Sequence, residues 1–227
     1  VGSYFHDIGK LRKPVYFVEN QTPGENRHDK LSPSMSALII RSHVKDGVEL
    51  ARRFRLPEVI VDMIPQHHGT SVIGYFYDKA LRERESSDTE PDRSLYSYPG
   101  PKPQTKEAGI LMLADGVEAA ARTLGEPSVD RIQGLVQKMI NRQFRSGELS
   151  ECELTLSDLH LIARCFTRVL GGIYHQRIAY TEPAEKVSER SAKVSEEGAG
   201  ASEKISDIFG DDDEESLKRL GQDEHDS

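Results

Sequence analysis

Cysteine is scarce in this chain. Cys152 and Cys165 are its only two, too few for the disulfide framework of a small secreted domain, and such usage suits a reducing compartment. Cys165 sits within an apolar helical pattern, so a buried thiol is expected there. No apolar run approaches the about 20 residues that a membrane-spanning helix needs, and no stretch has the form of a secretory signal. An excess of basic charge is also missing. Residues 1–180 hold 24 Lys and Arg against 23 Asp and Glu, and residues 181–227 hold 6 against 15, so the net charge of −8 belongs to the C-terminal part. A nearly neutral body gives no electrostatic footprint for a nucleic-acid polymer. Sustained period-two alternation bounded by hairpin turns is absent as well, which leaves an all-α bundle as the expected fold class.

Helical patterns are what the chain does contain. Ser32-Pro33 is a start signal, serine as cap and proline in the first turn. The run from Met35 through Leu38, Ile39, Val44, Val48, Leu50, Ala51 and Phe54 follows and stops before Pro57. Glu58 to Gln66 predicts a shorter helix with Val59, Ile60, Met63 and Ile64 inward. Gln104 to Leu124 predicts a long apolar one, ended by Gly125 and Pro127. Ser128 caps another, with Ile132, Leu135, Val136, Met139, Ile140 and Phe144 on one side and Gly147 closing it. Thr155 to Asp158 opens the last, which contains Leu159, Ile162, Ala163, Phe166, Val169, Leu170 and Ile173.

Between these lie long connections. Tyr16-Phe17-Val18 reads as a short extended piece. Glu19 to Leu31 is a polar loop around Pro23-Gly24. Ser86 to Pro103 is longer: Ser86–Asp92 is expected to be mobile, whereas Tyr98-Pro99-Gly100-Pro101-Lys102-Pro103 is stiff and expected to lie against the body. From Glu182 the apolar residues thin out and Asp211-Asp212-Asp213-Glu214-Glu215 is a like-charge block. Residues 181–227 are therefore expected to be a disordered acidic tail, within which Ile205, Ile208, Phe209, Leu217 and Leu220 are the residues available for docking.

The chemistry-bearing residues begin at Tyr4-Phe5-His6-Asp7-Ile8-Gly9-Lys10. An imidazole and a carboxylate side by side can share a divalent cation, and the lysine can meet a phosphate. Further candidates are His43, the pair His67-His68, and Asp115 within the apolar run Ile110 to Val117. A carboxylate in such a run is costly to bury unless paired or metal-bound. This mixed nitrogen and oxygen set suits iron, manganese, zinc, cobalt or nickel and argues against calcium or an all-sulfur site. Six ligands exceed one tetrahedral zinc and match two metals sharing Asp7. Neighbours on a helix diverge by about 100 degrees, so His67 and His68 cannot point along one line but can straddle a metal at a helix end, after which Gly69 would let the chain turn away. His28, beside Asp29 in a polar loop, is read as a non-ligand, and His160 and His175 as structural.

Taken together these residues resemble the HD-domain metal-dependent phosphohydrolases. The resemblance is strongest to the seven-transmembrane HD (PgpH-type) group of cyclic-di-AMP phosphodiesterases. It runs through Tyr4-Phe5-His6-Asp7-Ile8-Gly9-Lys10, His28-Asp29-Lys30-Leu31-Ser32-Pro33, Ser42-His43-Val44-Lys45-Asp46-Gly47, Gln66-His67-His68-Gly69-Thr70, Tyr98 to Pro103 and Leu113-Ala114-Asp115, and covers nearly all of residues 1–180. It implies an HD helical bundle with long connecting loops, and His6, Asp7, His43, His67, His68 and Asp115 as ligands of two divalent metals, iron or manganese, with Asp7 bridging. Asp7 and Lys10 are the expected catalytic residues, Lys10, Lys30, Lys102 and Tyr77 the expected substrate contacts, and Tyr75, like Tyr77, a ring that can stack on adenine.

The implied reaction is hydrolysis of a cyclic dinucleotide, cyclic-di-AMP to pApA, by a metal-bridging hydroxide. The group's first histidine lies upstream of the His-Asp pair. This chain starts with valine in mid-pattern, so that histidine, the membrane helices and an extracytoplasmic domain are expected in a longer protein. That protein would carry this domain at the cytoplasmic face of the plasma membrane, with a homodimer left open. A neighbouring group, the HD-GYP cyclic-di-GMP phosphodiesterases, also begins with His-Asp-Ile-Gly-Lys, but here Gly69 follows the histidine pair and Gly74-Tyr75-Phe76 lacks the proline. The alternative outside enzymology is a signalling module that binds the nucleotide without turnover.

Overall fold

Hydroxyl side chains decide where the long helices start. Ser32 Oγ accepts from Met35 N–H, Thr105 Oγ1 from Ala108 N–H and Ser128 Oγ from Arg131 N–H, each satisfying one of the amides that a helix start leaves without a partner. The structure, a computed structural model, describes residues 1–21, 26–84, 89–125 and 127–175. The expected tail at 181–227, the Pro23-Gly24 turn and the first part of the Ser86–Asp92 loop lie outside the described residues.

Seven α-helices are described: α1 (Gly2–Phe5), α2 (Pro33–Arg53), α3 (Glu58–Gln66), α4 (Gly74–Glu83), α5 (Lys106–Ala121), α6 (Val129–Arg145) and α7 (Leu156–His175). Short 3-10 turns run from Ile8 to Arg12, Pro14 to Tyr16, Val18 to Asn20, Arg27 to Lys30 and Arg93 to Tyr96. Among the described residues the sole β feature is one antiparallel bridge, Val72 to Ser97, and no helix is long and apolar enough to cross a membrane. The all-α expectation holds. The expected extended piece at Tyr16–Val18 is instead two 3-10 turns, with Phe17 alone extended and buried between them.

The largest apolar cluster joins Met112, Leu113 and Val117 of α5 to Ile132, Val136 and Ile140 of α6 and Leu159 and Ile162 of α7, with Leu149 from the α6–α7 connection. Each such burial is worth about 1.5–3 kcal/mol relative to exposure. A second cluster pairs Ala51 of α2 with Val61 and Ile64 of α3, and a third gathers Ala37, Phe76 and Tyr96. Three side chains depart from expectation. Val59, Phe144 and Cys165 are exposed. On α7 the inward stripe runs through Leu159, Ile162, Phe166 and Leu170, and Cys165 falls about 100 degrees off it.

One close approach places the His-Asp turn. A Cβ on Gly9 would stand 1.8 Å from the His43 carbonyl oxygen and 2.5 Å from Gly47 N, so only glycine lets the 3-10 turn lie directly on the backbone of α2. That contact carries Asp7 to His43. Tyr98 and Pro103 are buried, and the stiff Tyr98–Pro103 segment lies against the body as expected.

Candidate metal centre

Three imidazoles are aimed by the same local device. His6 Nδ1 lies 2.8 Å from Ser3 O, His43 Nδ1 2.5 Å from Ile40 O, and His67 Nδ1 2.6 Å from Ile64 O. A carbonyl oxygen only accepts, so each Nδ1 carries the proton and donates. In the neutral ring this leaves the Nε2 lone pair facing away from the parent helix, the orientation that metal-binding histidines adopt.

Those Nε2 atoms converge on Asp7. His6 Nε2 lies 3.2 Å from Asp7 Oδ2, while His43 Nε2 and His67 Nε2 lie 3.4 and 3.7 Å from Asp7 Oδ1. The two buried rings approach each other at 3.5 Å between Nε2 atoms. Asp115, from the middle of α5, reaches the other side, with Oδ1 3.7 Å from His6 Nε2 and Oδ2 3.7 Å from His68 Nδ1. The donor atoms form two groups, His6/Asp7/Asp115 and Asp7/His43/His67/His68, and Asp7 belongs to both. All six candidate residues are thus brought together.

Electrostatics separates the two groups. Burial lowers the His6 pKa, but hydrogen bonds to Asp115 and Asp7 outweigh it and raise the value to about 10. Burial pushes Asp7 up, yet His6 and Lys10 hold its carboxyl well below the ordinary carboxylate range. His67 is lowered to about 4 by burial and then by His43 and His6, and burial likewise lowers His43 and His68. The second group therefore presents neutral nitrogens. Asp7 Oδ1 is buried without a hydrogen-bond donor and faces the lone pairs of two of them. An acceptor surrounded by acceptors is the arrangement a divalent cation satisfies, so these residues fit a metal.

A cavity of about 1000 Å³ opens over the centre. Asp7, Lys10, His43, His68 and Asp115 form part of its wall, with Phe17, Glu19, His28, Tyr75, Tyr98 and Arg122. Lys10 Nζ sits 2.8 Å from Asp7 Oδ2 and 2.6 Å from Glu19 Oε1. His28, as read from its loop, stands apart from both donor groups: Nε2 donates to Tyr16 O at 2.9 Å. The structure does not bring the other expected substrate contacts here. Tyr77 packs on Tyr96 and its hydroxyl donates to Glu90. Two positions earlier on α4, Tyr75 takes the cavity wall instead, because residues two apart on a helix face nearly opposite ways. Lys30 is exposed on its 3-10 turn outside the wall, and Lys102 points to Ser150 Oγ at 3.4 Å.

Two residues packed on the histidine pair or on the turn that follows it had no role assigned from the sequence. Tyr98 stacks on the His68 ring, with centroids 4.1 Å apart and planes at 23 degrees. The expectation that its segment lies against the body located it without assigning that role. Glu148, buried after α6, accepts from Thr70 N–H and Thr70 Oγ1, and its only sequence signal was an acidic residue beside the closing Gly147.

A bundle with this His/Asp constellation defines a class. The HD domain family model matches residues 1–120, and the chain belongs to that family. Over 187 residues it is 46% identical to the cyclic-di-AMP phosphodiesterase PgpH of Bacillus subtilis (strain 168), covering 82% of this chain and 26% of that protein. Over 184 residues it is 44% identical to the cyclic-di-AMP phosphodiesterase PgpH of Listeria monocytogenes serotype 1/2a (strain 10403S), covering 80% and 25%. The chain therefore spans about a quarter of the length of these curated relatives. A crystal structure of the L. monocytogenes PgpH HD domain in complex with cyclic-di-AMP matches with a TM-score of 0.72 at 42% identity, over 76% of this chain and 79% of that one. Family membership and the His/Asp cluster together imply divalent-metal binding.

Proposed function

We propose that residues 1–180 form a metal-dependent phosphodiesterase domain that hydrolyses cyclic-di-AMP to pApA, with 181–227 an acidic appendage outside it. The observation that carries this is Asp7 standing in two donor groups at the wall of one large cavity. His6, Asp7 and Asp115 would hold one ion, and Asp7, His43, His67 and His68 the other; of the metals this nitrogen and oxygen set suits, iron or manganese are those that the family resemblance implies. Two such ions supply Lewis acidity and an activated water for in-line displacement at phosphorus.

The chain's own residues do the rest. The Ser3, Ile40 and Ile64 carbonyls fix the tautomers of His6, His43 and His67. Lys10 offers a cation beside Asp7 and turns from Glu19 to a phosphate oxygen when substrate enters. Tyr75 offers an aromatic face for a base at the wall. Water adds to phosphorus, the bond to the ribose 3′-oxygen breaks, and that oxygen leaves with a proton.

Adenine preference is supported by the names of the two PgpH relatives and by the nucleotide in the matched crystal structure. We place the domain at the cytoplasmic face of a longer membrane-anchored protein, for which a quarter-length match to the relatives leaves room. The test is incubation of the manganese-loaded chain with cyclic-di-AMP and cyclic-di-GMP, with products separated by chromatography. The expected outcome is pApA formed faster than the guanine product. Nucleotide binding without a linear product in the metal-loaded protein contradicts the enzyme reading.

A further inference from the structure

The His67-His68 pair ends α3 and sits on a turn whose backbone is held from a distant part of the chain. Gly69 N donates to Gln66 O and Ser71 N to His68 O, both at 3.1 Å. Gly69 has φ +55, and a Cβ there would stand 2.3 Å from Glu148 Oε2. The turn is therefore pressed onto a carboxylate that accepts Thr70 N–H at 2.9 Å and Thr70 Oγ1–H at 2.7 Å.

Glu148 is itself fixed. Gly147, with φ +75, reverses the chain after α6. Glu148 N donates to Gln143 O at 3.2 Å, and Leu149 enters the α5–α6–α7 cluster. The carboxylate is buried, 4% exposed. A charge so placed is expensive unless it is well bonded, and among the described residues both of its side-chain hydrogen bonds come from Thr70, two positions after His68.

We propose that Glu148 is a positioning residue for the paired histidines: it ties their turn to the main core and sets the ring geometry of the His43/His67/His68 group. This rests on the metal-binding reading above. Partners behind metal ligands typically contribute 10–100-fold in affinity. Glu148 acts through the backbone and touches no ligand atom, so its removal should move the site held by the paired histidines and spare that of His6 and Asp115.

The test is titration of the metal-free chain with cobalt(II), read by metal content and by the visible ligand-field spectrum, beside thermal melting without metal. Glu148→Ala is expected to weaken one of two cobalt sites by about 10–100-fold and to change its spectrum. Glu148→Gln should restore it, since the amide oxygen can accept Thr70 N–H while its NH₂ donates to Thr70 Oγ1. A folded Glu148→Ala chain with both sites at wild-type affinity and spectrum overturns the proposal. Should that variant not fold, Thr70→Val, which removes one of the two ties, carries the test: a smaller weakening of the same site supports positioning, and an unchanged site overturns it. Absence of cobalt uptake by the unsubstituted chain overturns the metal reading itself, an outcome visible before any substitution is made.

Discussion

Gly9 lies so close to His43 that a methyl group cannot be placed between them: its Cβ would stand 1.8 Å from the His43 carbonyl oxygen. Asp7 and His43 meet because the backbone two residues beyond Asp7 touches the backbone of α2. Gly9→Ala is therefore expected to destabilise the fold by about 3 kcal/mol or more, the upper range for overpacking, and to lower metal content. Gly47→Ala, whose Cβ would meet the buried Ile64 Cγ2 at 3.0 Å and no backbone atom closer than Gly9 N at 3.4 Å, should cost less. Urea denaturation of both variants measures the difference, and an equal or reversed ranking contradicts this packing.

Metal uptake should release a proton from the first donor group. His6 has a pKa of about 10 in the metal-free centre, so it is protonated near neutrality and must lose that proton to bind a cation. His67, at about 4, and the lowered His43 and His68 are already neutral. Between about pH 7 and pH 10, affinity at the His6/Asp7/Asp115 group should rise about tenfold per pH unit, with little change at the other. Calorimetric titration in buffers of different protonation enthalpy counts the proton, and none released at pH 7 rejects the assignment.

Tyr98 holds the outer face of His68. Tyr98→Ala removes a buried ring stacked at 4.1 Å and should cost about 3–5 kcal/mol while loosening the imidazole. Tyr98→Phe keeps the ring and should retain metal. Burial and then Asp115 and Asp7 raise the Tyr98 pKa, so its hydroxyl stays neutral throughout the working range and the Phe variant should leave the pH profile unmoved. Metal content and activity profiles of the two variants are the check.

At the start of α7, Thr155 N–H donates to Asp158 Oδ2 and Asp158 N–H to Thr155 Oγ1, a reciprocal cap joined by Lys106. The Thr155 backbone amide, and after it Lys106, lower the Asp158 pKa to about 2. A depressed folded value gives stability that is present above the ordinary carboxylate pKa and lost as pH falls through about 2. Asp158→Asn should flatten the acid side of the melting-temperature curve between about pH 4 and pH 2, whereas an unchanged slope assigns that acid sensitivity to other groups.

Local signals were legible in the sequence and distant ones were not. The caps Ser32 and Ser128 and the span Glu58–Gln66 follow from chemistry within a few residues and match the helices observed. The six candidate ligands were readable because each is an unusual residue for its context, and resemblance joined them. What escaped depends on rotation or on contacts across the chain. Tyr77 and Tyr75 are equivalent in pattern and differ by 200 degrees around α4. Cys165 and Val59 lie within apolar runs on the wrong side of their helices. Glu148 meets Thr70 across 78 positions, a separation at which no spacing rule operates.

Anomalous diffraction from manganese-loaded crystals addresses the shared carboxylate most directly. Two peaks about 3.5–4 Å apart on either side of Asp7, one against His6 and Asp115 and one against His43, His67 and His68, are expected. A single ion, or ions bound without Asp7, would contradict a two-metal centre built on that residue.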